Sequence, residues 1–317
     1  MFAKIFKRVS IKTFIVSFFL CFIFIVFTAY CFFLGKLTQE SVIRTFGLSF
    51  LLVMSTFLVS LSENKNLNRR FGAIHLLSFP LALLLFNWEG VFDFKKSFIL
   101  FGLLFSLNIF SSDLKNKQPS GQIFSLGILI TGISFYNYYL AFFYTVPLLF
   151  FLESQYRKRM NGILLLASIF LTLQFLMAVS YLTTDNFFYE STPIVFKNSF
   201  NGLSHNVSET PWIITIIISL IISIFYRPKE YKFSVEKNDA HRTFQFMTVW
   251  LVISILFRYF NLHIGKGEWL LSFIPSAFFL GLGIEFIKKD KLKDVLIIII
   301  IITAVLFKLH LNSLFSL

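Results

Sequence analysis

The stretch Phe14–Leu34, FIVSFFLCFIFIVFTAYCFFL, runs for 21 residues without a charge. As a helix it rises about 32 Å, and the hydrocarbon core of a bilayer is about 30 Å thick. The run is long enough to span by itself. It follows a basic start, Lys4, Lys7, Arg8 and Lys12. That order resembles a secretory signal, but the run is too long for one and no small-x-small cleavage pattern follows, so it reads as a retained anchor. Cys21 and Cys31 lie within it, about 15 Å apart along a helix axis, too far to bridge each other.

Outward from this run the chain keeps the same character. Of 317 residues, 56% are hydrophobic and 14% charged, against about 45–50% and 25% in soluble domains. A soluble fold of this length cannot hide so much apolar surface. Phe alone accounts for 46 residues; it satisfies lipid as well as Leu does, and the excess reads as a coding bias rather than a binding function. Ten further apolar runs follow: Thr45–Leu61, Gly72–Phe86, Ser97–Phe110, Gln122–Phe135, Leu140–Leu152, Ile163–Ser180, Pro211–Tyr226, Thr243–Phe260, Leu270–Ile287 and Val295–Leu309. The predicted fold is an all-α polytopic membrane helix bundle of about eleven transmembrane helices (range nine to eleven), one integral membrane domain over residues 1–317. The four runs between Gly72 and Leu152 are short. Each must borrow flanking residues, stay shielded inside the bundle, or form part of a re-entrant pair.

The net charge of +13 would raise nucleic acid as a partner in a soluble protein. Here the cations sit in short clusters between apolar runs, where topology explains them and nucleic acid is not expected. With a cytoplasmic N-terminus and eleven crossings, 21 of the 29 Lys and Arg fall on the inner side and 8 on the outer, as the positive-inside rule requires. Reading Gln122–Leu152 as one crossing would separate Lys115/Lys117 from Arg157–Arg159. Two short crossings, turning at Tyr136-Asn137-Tyr138-Tyr139, keep both clusters inside. Residues 1–13 then form a basic cytoplasmic N-terminus, 181–210 the longest outer loop and 227–242 a cytoplasmic loop, with the C-terminus periplasmic. Thr210-Pro211 reads as a helix start. Pro80, Pro147 and Pro275 fall inside runs, where each frees a backbone carbonyl that must find a partner on a neighbouring helix.

Ionisable groups are scarce within the runs, although such groups mark function in membranes. His75 and Glu285 lie near inner ends, Glu285 four residues before Lys289 in a favourable pairing register. Gln174, Gln245 and Asn108 could bond between helices. A proton pump, a voltage sensor and a cation channel are disfavoured. The weak catalytic candidates are outer-face residues: Glu40, Asp93, Asp185, His205 and Arg258. In a transfer from a polyprenyl-linked sugar, a carboxylate would act as base on the acceptor hydroxyl, while Arg258 or Lys266 would hold the phosphate leaving group. Against this, outer loops are polar in any case, Glu40 is the sole acid of the first outer loop, and the long loop has no Arg. The histidines, at 75, 205, 241, 263 and 310, are scattered, so no metal or other cofactor is expected.

Asn66-Leu67-Asn68 ahead of Phe79-Pro80-Leu81, Leu103–Leu114 running into Gln122-Ile123-Phe124-Ser125-Leu126-Gly127-Ile128, Ile133-Ser134-Phe135-Tyr136 leading to Arg157–Arg159, and Leu270–Lys289 with Ile274-Pro275-Ser276 together resemble a family of uncharacterised polytopic inner-membrane proteins of the Bacteroidota. The resemblance covers about two thirds of the chain. It implies a bacterial cytoplasmic membrane location and transfers no catalytic residue. The same region is faintly similar to the helical cores of membrane glycosyltransferases that use lipid-linked sugars, without their acidic motif in the first outer loop. The expectation is a non-catalytic or accessory envelope protein, with the bilayer and other envelope membrane proteins as partners. The alternatives are a glycosyltransferase-like enzyme at the outer face and a transporter of an uncharged or lipid-like solute.

Overall fold

The computed structural model describes residues 2–32, 50, 53–54, 73–85, 124, 127–128, 131, 158–184, 210–225, 244–245, 247–256 and 270–315. Among them every regular element is an α-helix: α1 (Phe2–Ile5), α2 (Ile11–Phe32), α3 (His75–Leu85), α4 (Lys158–Thr184), α5 (Thr210–Phe225), α6 (Met247–Leu256), α7 (Leu270–Phe286) and α8 (Asp290–Phe315). The all-α expectation holds. Among the described residues two helices contain stretches long and apolar enough to cross a membrane, Ile11–Thr28 in α2 and Gly162–Leu182 in α4. The runs Ser97–Phe110 and Leu140–Leu152, most of Thr45–Leu61 and Gln122–Phe135, Pro147, and the loop 227–242 lie outside the described residues.

Several helices start earlier or end later than their apolar runs. Helix α2 begins at Ile11 because Ser10 and Thr13 cap each other: Ser10 N donates to Thr13 Oγ1 at 2.8 Å and Thr13 N to Ser10 Oγ at 3.3 Å. Such side-chain acceptors satisfy amides that a helix start leaves open. Residues 1–13 are thus not a plain tail but hold α1 and the first turn of α2. Helix α4 starts at Lys158 rather than Ile163, since Lys, Arg and Met are good helix formers whatever their polarity. It is helical through Thr184, so the first four residues of the expected outer loop 181–210 are helical. Helix α8 starts at Asp290, an acid in the first turn where the helix dipole favours it.

Helix α3 forms the centre. It packs on α2 and α7, with further contacts to α5 and α8, and every residue from His75 to Leu84 is buried. The described part of this short run is thus shielded by its neighbours. Pro80 has no N–H to give to Leu76 four residues earlier, and the Leu76 carbonyl accepts a hydrogen bond from Ser17 Oγ of α2 instead. The proline's missing donor is supplied by a neighbour, and the helix continues through it. Around α3 the core gathers Phe6, Phe24, Leu76, Leu77, Leu81, Leu84, Ile284, Ile297 and Ala304.

Three pairs of contacts set helix directions. Ala3 N donates to Asp294 Oδ1 at 2.8 Å near the start of α8, and Lys308 Nζ reaches Thr28 Oγ1 at 2.6 Å near the far ends of both helices. Helices α2 and α8 therefore run the same way. Trp212 meets Ser272 and Ile222 meets Gly283, so α5 and α7 are also parallel. His75 stacks on Phe278 and Phe79 packs edge-on to Phe273, so α3 opposes α7.

Small polar side chains share the interior with the apolar core, and large apolar side chains cover much of the outside. The buried polar residues include Ser17, Thr28, His75, Ser78, Ser168, Thr215, Ser219, Ser272, Ser276 and Lys308. Exposed on the outside are Leu292, Val295, Ile299, Ile302, Leu306 and Leu309 of α8, Ile214, Ile217, Ile221 and Ile224 of α5, and Leu166, Phe170 and Leu182 of α4. The α8 residues recur at alternating spacings of three and four, one continuous stripe of a helix.

Candidate functional site

The five sequence candidates, Glu40, Asp93, Asp185, His205 and Arg258, all lie outside the described residues, as do His263, Lys266 and Asn108. What the described helices bring together is a seam of small polar side chains through the centre. The His75 ring lies on Phe278, with centroids 5.3 Å apart and planes 23° apart. The helices meet here because α7 has Gly281: a Cβ at that position would stand 2.8 Å from His75 Cδ2 and 2.9 Å from Ser78 Oγ. Trp212 Nε1 donates to Ser272 Oγ at 3.0 Å, and the Trp212 ring stacks on Phe273.

Most hydroxyls of the seam serve the backbone. Ser78 donates to His75 O, Thr215 to Pro211 O, Ser219 to Thr215 O, Ser168 to Leu165 O and Ser254 to Leu251 O, within 2.7–3.2 Å. These bonds let a hydroxyl sit among apolar residues at little cost, and the small side chains allow close helix approach. Gly127 shows the same economy of space, since a Cβ there would run into the Ser168 side chain of α4.

Lys308 is the feature the sequence reading missed. It is 5% exposed and bonded to Thr28 Oγ1, whose own proton goes to Phe24 O at 2.8 Å. The signal was in the phase of the helix. Ile297, Ala304 and Lys308 share one stripe at spacings of seven and four, and all three are buried. Glu285 and Lys289 are both exposed at the α7–α8 junction, and Gln174 is exposed on α4 rather than set between helices.

Beside the seam is a groove of about 600 Å³ bounded by α5, α7 and α8. Its wall is apolar, formed by Ile214, Ile218, Ile222, Leu280, Ile284, Leu296, Ile300 and Phe307, with Gly283 letting the Ile222 side chain of α5 pack against α7.

No family model, curated protein or solved structure matches the chain.

The chemistry of the region therefore rests on its own side chains. Among the described residues no group of three or more His, Cys, Asp or Glu converges on one point. The described interior offers hydroxyls, an imidazole packed on a phenyl ring and an ammonium held by a threonine. That set ties helices together and gives an apolar ligand a smooth wall.

Proposed function

We propose that the chain is a multi-pass protein of the bacterial inner membrane, with about eleven crossings, a cytoplasmic N-terminus and a periplasmic C-terminus, and with a non-catalytic, accessory role in the cell envelope. The observation that carries this reading is the pattern of exposure: apolar stripes of α4, α5 and α8 face out, while Ser and Thr side chains, His75 and Lys308 are buried beside the apolar core. In water such stripes would be a liability for aggregation; in lipid they match the solvent, and small polar residues supply the helix contacts. The helix directions support the crossing order, because alternating runs make α2 and α8 parallel, α5 and α7 parallel, and α3 and α7 opposed. The resemblance to the Bacteroidota family fits the same compartment. The accessory role is supported by the seam, most of whose hydroxyls bond to helix backbones or to other side chains.

Membrane fractionation tests the first part. The chain should stay in the pellet after an alkaline carbonate wash and leave it only with detergent; recovery in a detergent-free supernatant overturns the reading. Alanine at Glu40, Asp93, Asp185 and His205 tests the second. Envelope glycans should be unchanged in each variant, whereas loss of a glycan would favour transfer from a lipid-linked sugar.

A further inference from the structure

The groove between α5, α7 and α8 has a direction. Its wall on α8 runs from Leu296 to Phe307, and on α5 from Ile222 back to Thr210. At 1.5 Å per residue these are about 17 and 18 Å, close to one leaflet of a hydrocarbon core about 30 Å thick. The wall suits a hydrocarbon chain. The Thr215 and Ser219 protons are already given to backbone carbonyls of α5, and the remaining surface is almost wholly apolar.

One end of the groove is cationic. Phe286 and Leu296 both line it, and between them the chain carries Lys288, Lys289, Lys291 and Lys293, the first three exposed. Helix α1 docks on the start of α8 through Ala3 and Asp294, which brings exposed Lys4, Lys7, Arg8 and Lys12 to the same end. The acids there are Glu285, Asp290 and Asp294, and the Asp294 carboxylate already accepts from Ala3 N. A leaflet-length apolar groove ending in a lysine cluster has the form of a site for an anionic lipid.

We propose that the groove seats an acyl chain of an anionic phospholipid of the cytoplasmic leaflet, with the phosphate held by the lysines of the α7–α8 connection. This rests on the membrane reading above. The lipid would fill the space between α5 and α8 and tie the last two helices to the leaflet that faces the cytoplasm.

The test uses the full chain, purified in detergent, stripped of lipid and titrated by native mass spectrometry. The probes are palmitoyl-oleoyl phosphatidylglycerol and the phosphatidylcholine with the same chains. Phosphatidylglycerol should bind about tenfold more tightly, a difference the charge cluster can supply. Thr303→Phe, at an exposed position on the groove wall, should lower phosphatidylglycerol binding about tenfold with helix content unchanged. Gly283→Leu fills the groove from α7 and decides the matter if the first variant fails to fold. Replacing Lys288, Lys289 and Lys291 by Gln should bring phosphatidylglycerol down to the level of phosphatidylcholine. Equal affinity for the two lipids in the unaltered protein, or full binding with the groove filled, overturns the proposal. So does a polyprenyl phosphate that displaces phosphatidylglycerol at equal concentration, which would assign the groove to a carrier lipid instead. A chain that stays in the membrane pellet without lipid preference refutes this proposal alone; a soluble chain refutes the membrane reading as well.

Discussion

At the scale of single residues the contacts of α7 make a sharp contrast between two glycines. A methyl group at Gly281 meets the His75 ring and Ser78 Oγ at 2.8–2.9 Å. The ring is pinned on Phe278 and α3 is buried on all sides, so neither neighbour can yield without moving a helix. Gly281→Ala should lose about 1–3 kcal/mol, the usual cost of overpacking a filled interior. At Gly283 the same methyl meets the Ile222 Cδ1 end at 2.7 Å, and that end can turn into the neighbouring groove. Gly283→Ala should stay within about 0.5 kcal/mol of the parent, the range of substitutions that disturb no special feature. Unfolding in mixed micelles, followed by circular dichroism, measures both; equal losses would mean that the α3–α7 contact is not as close as drawn. Lys308 gives a second contrast. Thr28→Val keeps the shape but removes an acceptor from a buried ammonium, costing about 1–3 kcal/mol. Lys308→Met removes the charge and leaves Thr28 bonded to Phe24, so it should be neutral or stabilising. The reverse order in the same assay would mean that the ammonium contributes net stability of its own.

At the scale of helices, α2 and α3 are joined where α3 is chemically weakest. The Leu76 carbonyl, denied its partner by Pro80, is served by Ser17. Ser17→Ala should cost about 1 kcal/mol, given that interhelical hydrogen bonds in membrane proteins average about 0.6 and reach about 1.7. Pro80→Ala returns an N–H to the helix, so the penalty for Ser17→Ala should shrink in that background. A double-mutant cycle reads the difference, and a coupling of zero would show that the serine stabilises the pair in some other way. This feature was half legible in the sequence, where Pro80 inside an apolar run announces an orphaned carbonyl without naming its donor. Helix α2 was legible for a plainer reason, an uninterrupted apolar run longer than a bilayer is thick. Its start at Ile11 was hidden in the Ser10–Thr13 exchange, and the start of α8 in five residues of mixed charge before the apolar run. Lys308 shows why the inward face was harder to read. Hydropathy averages over all sides of a helix, whereas burial depends on phase. The outer-face candidates sit in connections, where no periodicity says which side chains meet, so the sequence could rank Glu40, Asp93, Asp185, His205 and Arg258 only by chemistry.

At the scale of the whole molecule the orientation of two helices bears on the crossing count. Helices α2 and α8 run in the same direction: the start of α8 is tied through Asp294 to Ala3 of α1, just ahead of α2, and its far part is tied through Lys308 to Thr28 of α2. If both cross, an even number of crossings separates the start of one from the start of the other, and the total is odd. Eleven satisfies this, and so does nine with a re-entrant pair between Gly72 and Phe110. Ten does not. Ten is what a single long crossing through Gln122–Leu152 would give, since it would turn α8 against α2 and move Arg157–Arg159 to the side opposite the N-terminus. Charge favours two short crossings because cations are retained in the cytoplasm, and parallel α2 and α8 require an odd total if both cross. Reporter fusions separate the cases. Alkaline phosphatase joined after Arg159 should be inactive and a fluorescent protein at the same place bright, with the same result after Lys293, since four crossings lie between them. An active phosphatase after Arg159, with the N-terminus still cytoplasmic, would restore the single long crossing and reverse every later helix. Helix α8 would then enter the bilayer from the periplasm with four lysines at its start, and its contacts with Ala3 of α1 and Thr28 of α2 could not both exist.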